Sequence, residues 1–513
     1  MVKAGAADAD SSYRSIFKST FLVGGAQVIN ILISLVKNKV LAMILGPAGI
    51  GVMGVFTSIT TLVNAISNLG INSSAVKQVA EADTAADQPR LSFLYRLIRR
   101  LLLFSGLFFA LLMCIFSEPL ARLSFERDYK PELVSGIIII SLLVLFDNLS
   151  TGERAILQGR RKLRELAVGQ VLGALIGAVS GVIIVYFLKF EGIAWYLLTT
   201  SLSMYLVYRY QVFAMNKRFA VDHVITTADT ELSPEARMRE SRILIKLGLA
   251  FLITVLAGSA VSYAERLLII RSLDVEGVGI YQSAWSLVNM SFNLVLLAMT
   301  TDFYPRLVSI ASDNNAVNRT VNEQVELALL AALPVLLILY VFSPLLLELL
   351  YSASFLTGSA LCRWLAISCF FRVLCWPLGY IIIAKGDNRL FIISSIFWEV
   401  IQVPILLVCM HYWNLEGIGL TYVISYFLVT IGSTLIARRY YQFAWSTTAL
   451  RSMGVALLLI MLVALADRFE LPRSIFYGLG ILSICFSVWR FFQFVQSKFE
   501  IRIIDLIKSR LGL

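Results

Sequence analysis

Charge is scarce in this chain. Asp, Glu, Lys and Arg make up 15% of its 513 residues, against about 25% in soluble domains, so a protein wetted over its whole surface is excluded. Histidine is scarcer: only His223, in a polar loop, and His411, at the end of an apolar run, are present, too few for a His-based triad or zinc centre. The six cysteines (Cys114, Cys362, Cys369, Cys375, Cys409, Cys485) all sit inside apolar runs with no CxxC pair, where cysteine acts as a small hydrophobe and no disulfide framework is expected. No strand precedes Gly46-Pro47-Ala48-Gly49-Ile50-Gly51 and no GK[ST] follows it, so it reads as a tight turn and not as a phosphate loop. The first fifteen residues lack the basic start, short apolar run and small-residue cleavage site of a signal peptide, so the first apolar segment is expected to stay as a helix.

What is abundant is apolar sequence. Hydrophobic residues make up 58% of the chain and the mean hydropathy is +0.80. Runs of about 20 residues, enough for a helix to cross the hydrocarbon, recur from Phe21 to Phe492. Fourteen spans are expected, all helical because backbone groups in lipid must be satisfied within the segment. A closed barrel is excluded by the continuous runs. The net charge of +11 comes from basic residues scattered among short loops, a topology signal and no nucleic-acid-binding face. Arg154, Arg160, Arg161, Lys162 and Arg164 follow span four, and Arg209, Lys217, Arg218, Arg237, Arg239, Arg242 and Lys246 lie between spans six and seven. These place both termini on the cytoplasmic side.

The polar residues carry a repeat. Thr57, Thr61, Asn64 and Asn68 fall on one face of span two, and Gln282, Ser286, Asn289 and Asn293 repeat that spacing 225 residues later in span eight. Phe190-Glu191-Gly192-Ile193 answers Leu415-Glu416-Gly417-Ile418, Gly159 answers Gly386, and Gly49-Ile50-Gly51 answers Gly277-Val278-Gly279. Six spans separate the copies, so they cross in the same sense: an all-α polytopic membrane protein of two parallel six-helix lobes, a transporter arrangement, plus two extra C-terminal spans. The expected divisions are a cytoplasmic segment 1–17, an N-lobe 18–213, a cytoplasmic linker 214–245, a C-lobe 246–437, the extra spans within 438–493 and an amphipathic tail 494–513 suited to the anionic inner leaflet.

Charges inside spans are costly and normally face a bundle interior or wet cavity. Lys37 lies on a polar stripe of span one with Gln27, Asn30, Ser34 and Asn38, whereas Lys39 lies off it, near enough to the span end to snorkel. Thr254, Gly258, Ser262 and Glu265 make the corresponding stripe in span seven, with Arg266 beside it. Span ten holds Arg372 and span four has Asp147 near the matching depth. Lys37, Arg266, Arg372, Asn64, Asn68, Asn289 and Asn293 are the candidate substrate-cavity residues. The basic three suit an anionic diphosphate. Asp147, Glu265 and Glu399 are candidates for charge pairing or ion coupling. Structural alternatives stay open: Asp147 paired with a basic neighbour, Glu265 with Arg266 or Lys37, Glu399 protonated and hydrogen-bonded, and the asparagines serving only as interhelical bonds.

KVLAMILGPAGIGVMGVF (Lys39 to Phe56) and NLGINSSAVKQVAEA (Asn68 to Ala82) resemble the start of the O-antigen and lipid III flippases, the Wzx-type polysaccharide transporters of the MOP exporter superfamily, which includes the MATE proteins. TTDFYPRLVSIASD (Thr300 to Asp313) resembles the matching signature in the second lobe. The resemblance implies a MATE/MOP-like two-lobed fold in the bacterial inner membrane. It implies movement of an undecaprenyl-diphosphate-linked oligosaccharide to the periplasmic leaflet, as in lipopolysaccharide biosynthesis, by alternating access. It further implies a cationic cavity, coupling to H+ or Na+, no cofactor or metal, and a monomer that can work beside a polysaccharide polymerase. Members typically have twelve spans; the extra pair here resembles the fourteen-span peptidoglycan-precursor flippases. A MATE-type multidrug antiporter is the alternative, though its cationic substrates call for an acidic cavity. An enzyme acting on the same carriers is disfavoured by short outer loops, the longest being Ser117 to Pro131.

Overall fold

The computed structural model describes residues 2–218 and 233–499. Much of the expected linker and most of the expected amphipathic tail lie outside the described residues, as does the side chain of Thr254. In order the helices are α1 Val2–Ser67, α2 Ile71–Thr84, α3 Gln88–Ile115, α4 Ser117–Phe125, α5 Pro131–Gly159, α6 Leu163–Leu188, α7 Gly192–Arg218, α8 Pro234–Ser272, α9 Val275–Ser309, α10 Asn314–Val341, α11 Ser343–Leu350, α12 Ser359–Ala384, α13 Asn388–Tyr441, α14 Thr447–Arg468 and α15 Arg473–Phe499. No strand occurs among the described residues. The protein is an all-α, multi-pass membrane protein.

Nine segments among the described residues are long and apolar enough to cross a membrane, and three of them, of 44, 55 and 54 residues, are twice the necessary length. Each of those three is broken in the middle. α1 breaks at Gly46 (φ 64, ψ −173), a conformation open to glycine, and Pro47 then starts the second half with its φ preset for a helix. α6 turns into α7 at Lys189 (φ 51, ψ −124), and α13 breaks at Asn414 (φ 46, ψ −125). These last two residues are 225 apart, just before the Glu-Gly pairs, so the repeat extends to backbone geometry. After spans four and ten the positive-φ residues are Arg161 (φ 53) and Gly386 (φ 79), again 225 apart. Gly159 is therefore not the counterpart of Gly386; it is a close-packing position where a β-carbon would run into Val79.

The chain divides into two compact units. One holds the residues up to Gln282 together with Leu350–Ser354, and the other holds Ser283–Leu349 and the residues from Phe355 on.

In the first unit a ladder of small residues joins α6 to α7. Gly169, Gly173, Gly177 and Gly181, one every four residues, meet Tyr208, Met204, Thr200 and Tyr196. Lipid tails are as apolar as leucine, so helices in a bilayer associate through such close packing. Ile71, Val79, Leu94, Tyr95, Ile98, Ile156 and Val212 form a buried core between α2, α3, α5 and α7. Beside it Glu153, 2% exposed, takes both Arg99 Nε (2.8 Å) and Nη2 (2.9 Å), with Arg209 Nη1 at 3.4 Å. A carboxylate that buried is tolerated because a bidentate guanidinium satisfies it.

In the second unit α14 is fastened to the preceding helices at both ends. Asn318 and Asn322, one turn apart on α10, exchange hydrogen bonds with the backbone from Gln442 to Ser446 at 2.8–3.2 Å. At the other end Arg363 Nη1 lies 2.7 Å from both oxygens of Asp467, which also accepts from Tyr340 (3.3 Å). Large apolar side chains such as Phe104, Phe187 and Leu458 are exposed on helix flanks, the surface a bilayer would cover.

Candidate functional site

Two polar clusters stand inside the apolar helices, one in each unit. In the first, Asn64 Nδ2 on α1 donates to Asp147 Oδ2 on α5 at 3.0 Å, and Ser201 on α7 donates to Asp147 Oδ1. Ser67 Oγ donates to Asn148 Oδ1 (3.2 Å) one turn further along α1. In the second unit, Arg372 Nη1 on α12 donates to Asn289 Oδ1 on α9 at 2.6 Å, and its guanidinium lies over the rings of Phe292 (5.3 Å) and Tyr426 (5.9 Å).

These clusters are copies of each other. Asn64, Asp147 and Ser201 plus 225 are Asn289, Arg372 and Tyr426. In both copies the asparagine holds a charged residue 83 positions later. The charge is inverted, and the amide turns accordingly, offering its nitrogen to the carboxylate and its oxygen to the guanidinium. Ser201 and Tyr426 were not singled out from the sequence; the 225-residue offset relates them to each other, but only the tertiary contacts tie them to Asp147 and Arg372.

The remaining sequence candidates divide as follows. Lys37 is half-buried with its Nζ over the Tyr196 ring at 5.8 Å; Tyr196 is itself seated on Gly181. Arg266 is buried and occupied: it donates to Ser262 O (2.8 Å), Ser262 Oγ (2.7 Å) and Gln282 Oε1 (2.8 Å). Neighbouring Glu265, also buried, accepts from Tyr281 OH at 3.4 Å. Asn68 keeps a buried Oδ1 without a hydrogen-bond partner, as do Asn30 with both amide atoms and Asn64 with its Oδ1. Such orphaned groups in a dry interior are costly, and water or a ligand hydroxyl would satisfy them. Asn293 lies on an exposed face of α9, outside either cluster, whereas Glu399, exposed on α13, is near enough to Tyr426 of the second cluster to act on it electrostatically.

Chemically, the first cluster can hold a cation or proton at Asp147 between two neutral donors. The second presents a guanidinium with one donor engaged by Asn289 and the rest of its fork able to bind anion oxygens. Among the described residues no group of three His, Cys, Asp or Glu side chains comes together as a metal site.

Residues 40–360 match the family described as polysaccharide biosynthesis protein. The chain belongs to that family. The lipid III flippase of Escherichia coli (strain K12) is 23% identical over 440 residues, covering 83% of this chain and 99% of its own. Two solved structures share the fold. One is the lipid II flippase MurJ in an inward closed conformation (TM-score 0.69, 13% identity, covering 93% of this chain and 99% of that one). The other is a multidrug-resistance MATE family transporter of the MOP superfamily, inward-facing (TM-score 0.68, 18% identity, 80% and 94% covered). The resemblance to Wzx-type flippases carried by Lys39–Phe56, Asn68–Ala82 and Thr300–Asp313 thus holds along most of the chain, and the fold is that of the MOP superfamily.

Proposed function

We propose that the protein is a flippase carrying an undecaprenyl-diphosphate-linked oligosaccharide, an O-antigen or related repeat unit, from the cytoplasmic to the periplasmic leaflet by alternating access. The observation that carries this reading is Arg372: a guanidinium within a membrane helix, stacked between aromatic rings and steadied by Asn289. Its unused donors suit a diphosphate bidentately, whereas lysine would offer only a point charge. Lys37 adds positive charge in the other copy of the repeat. Arg266 holds α8 to the start of α9 through Ser262 and Gln282, and its buried Nε, without a hydrogen-bond partner, is left for water or a ligand oxygen. Asp147, the acid in the place of Arg372, is the group we assign to coupling with H+ or Na+.

The reading includes fourteen spans as two lobes with the C-terminal pair appended, both termini in the cytoplasm, an inner-membrane location and a monomer able to serve a polysaccharide polymerase. Transport without chemistry is sufficient to account for the site. The likeness to a MATE transporter supports a second reading, a multidrug antiporter, in which Asp147 would meet the cationic drug. Proteoliposomes separate the two. Transbilayer movement of the diphosphate-linked oligosaccharide that is lost in Arg372→Ala supports the flippase. Wild type that moves no such lipid but exports ethidium in an Asp147-dependent manner would replace it with the antiporter.

A further inference from the structure

The paired Gly-x-Gly turns have a use that the polar clusters do not explain. A β-carbon at Gly51 would overlap the backbone carbonyl oxygen of Val275, and one at Gly279 would overlap that of Pro47. Pro47 and Val275 are 228 residues apart, as are Gly51 and Gly279, so each turn presses its second glycine on the same carbonyl of the other. The contact is reciprocal, with the local two-fold character of an isologous interface. The first glycines behave differently: the atoms nearest a β-carbon at Gly49 or Gly277 belong to Leu45, or to Leu273 and Asp274, of their own turns. Only the second glycine of each motif is required by the opposite turn.

The outer loop adds a latch around this seam. From α4 and the turn after it, Ser124 Oγ lies 2.8 Å from Tyr263 OH, Glu126 Oε2 lies 3.2 Å from Arg271 Nε, and Asp128 Oδ2 accepts from the Val275 N–H at 2.9 Å. Glu126 and Arg271 are each about half exposed. At the other end of α8 a second backbone contact occurs: a β-carbon at Gly70 would overlap the Gly248 carbonyl, and one at Gly248 would overlap that of Leu69. The two contacts stand roughly 30 Å apart, 19 residues along α1, about the hydrocarbon thickness.

We propose that the Gly51–Gly279 seam with its Glu126–Arg271 latch is the outer gate of the permeation path, and that Gly70–Gly248 closes the inner end. A gate must seal sterically yet part without a large barrier. Glycine against carbonyl gives a seal at backbone distance, and the side-chain bonds to be parted with it are the few of the latch. The ion pair beside it is wet and screened, and so contributes little. Because the two glycine contacts are related by the repeat, separating the turns breaks both together, which makes the closure two-state.

The inference rests on the transport reading only in that a gate needs a path, and it is tested without substrate. In full-length protein lacking the six native cysteines, Thr61→Cys, on α1 between the two closures, reports outer access by its rate of labelling with a membrane-impermeant maleimide added outside. Gly51→Ala and Gly279→Ala are each expected to raise that rate about tenfold, from an overpacking cost near 1.4 kcal/mol. The double variant should raise it no further, while Gly258→Ala, which has open space around it, leaves it unchanged. Labelling at the wild-type rate in both glycine variants overturns the gate. Should those variants fail to reach the membrane, Asp128→Ala, which releases the Val275 N–H held at the seam, decides: faster labelling supports the closure and unchanged labelling rejects it. A protein that gates in this way but moves no saccharide lipid would retain the gate and lose the flippase.

Discussion

Asp147 and Arg372 occupy the same place in two copies of one repeat, and each is held by the asparagine 83 residues before it. A helical scaffold that keeps the asparagine and inverts the charge has two different sites to offer. One is acidic and suited to a small cation; the other is basic and suited to an anion.

Replacing Arg372 separates charge from geometry. Arg372→Ala is expected to slow translocation of the diphosphate-linked lipid by about 10–100-fold, the worth of one or two charge-assisted hydrogen bonds. Arg372→Lys should recover only part of it, because the fork is lost. Equal rates for Lys and wild type in proteoliposomes would show that charge alone is used.

Asn289→Asp offers a subtler test. A carboxylate in place of the amide oxygen would still accept from Arg372 and would neutralise it, so the fold should persist while transport falls. If transport is unaffected at normal expression, the guanidinium does not meet the substrate's phosphates.

Asp147→Asn keeps an acceptor for Asn64 and Ser201 but removes the charge. The variant should fold normally and respond less to an imposed H+ or Na+ gradient, whereas Asp147→Ala should also lose about 1–3 kcal/mol by orphaning those donors. Unchanged gradient dependence in Asp147→Asn would move ion coupling elsewhere.

The α6–α7 ladder should be intolerant of volume. Gly177→Leu would drive a side chain into Thr200 and is expected to cost about 1–3 kcal/mol or more, seen as a lower Tm in detergent. Gly24→Leu, on a stretch with nothing nearby, is the control that should not shift it.

Removing Arg99 takes the bidentate partner from the buried Glu153 and leaves it only Arg209, at 3.4 Å. Arg99→Leu is expected to destabilise by about 3–5 kcal/mol, and adding Glu153→Leu should restore much of that. Thermal unfolding of the single and double variants measures the coupling; additive losses would mean that the pair is not acting as a unit.

Much was determined by the sequence alone. Apolar runs near 20 residues impose membrane helices because unpaired backbone groups are not tolerated in lipid. The 225-residue offset of polar stripes is a property of the chain itself, and it foretold the matched breaks at Lys189 and Asn414. What the tertiary structure decided is which polar groups meet. Asn64 finds Asp147, Arg266 meets Ser262 and Gln282, and Arg372 meets Asn289, although all were equal candidates in one dimension. The physical reason is that helical periodicity fixes a side chain's face on its own helix, while its partner depends on the rotation and depth of the neighbouring helix. Those are set by close packing such as the glycine ladder of α6 and the glycine seam between the turns at Pro47 and Val275.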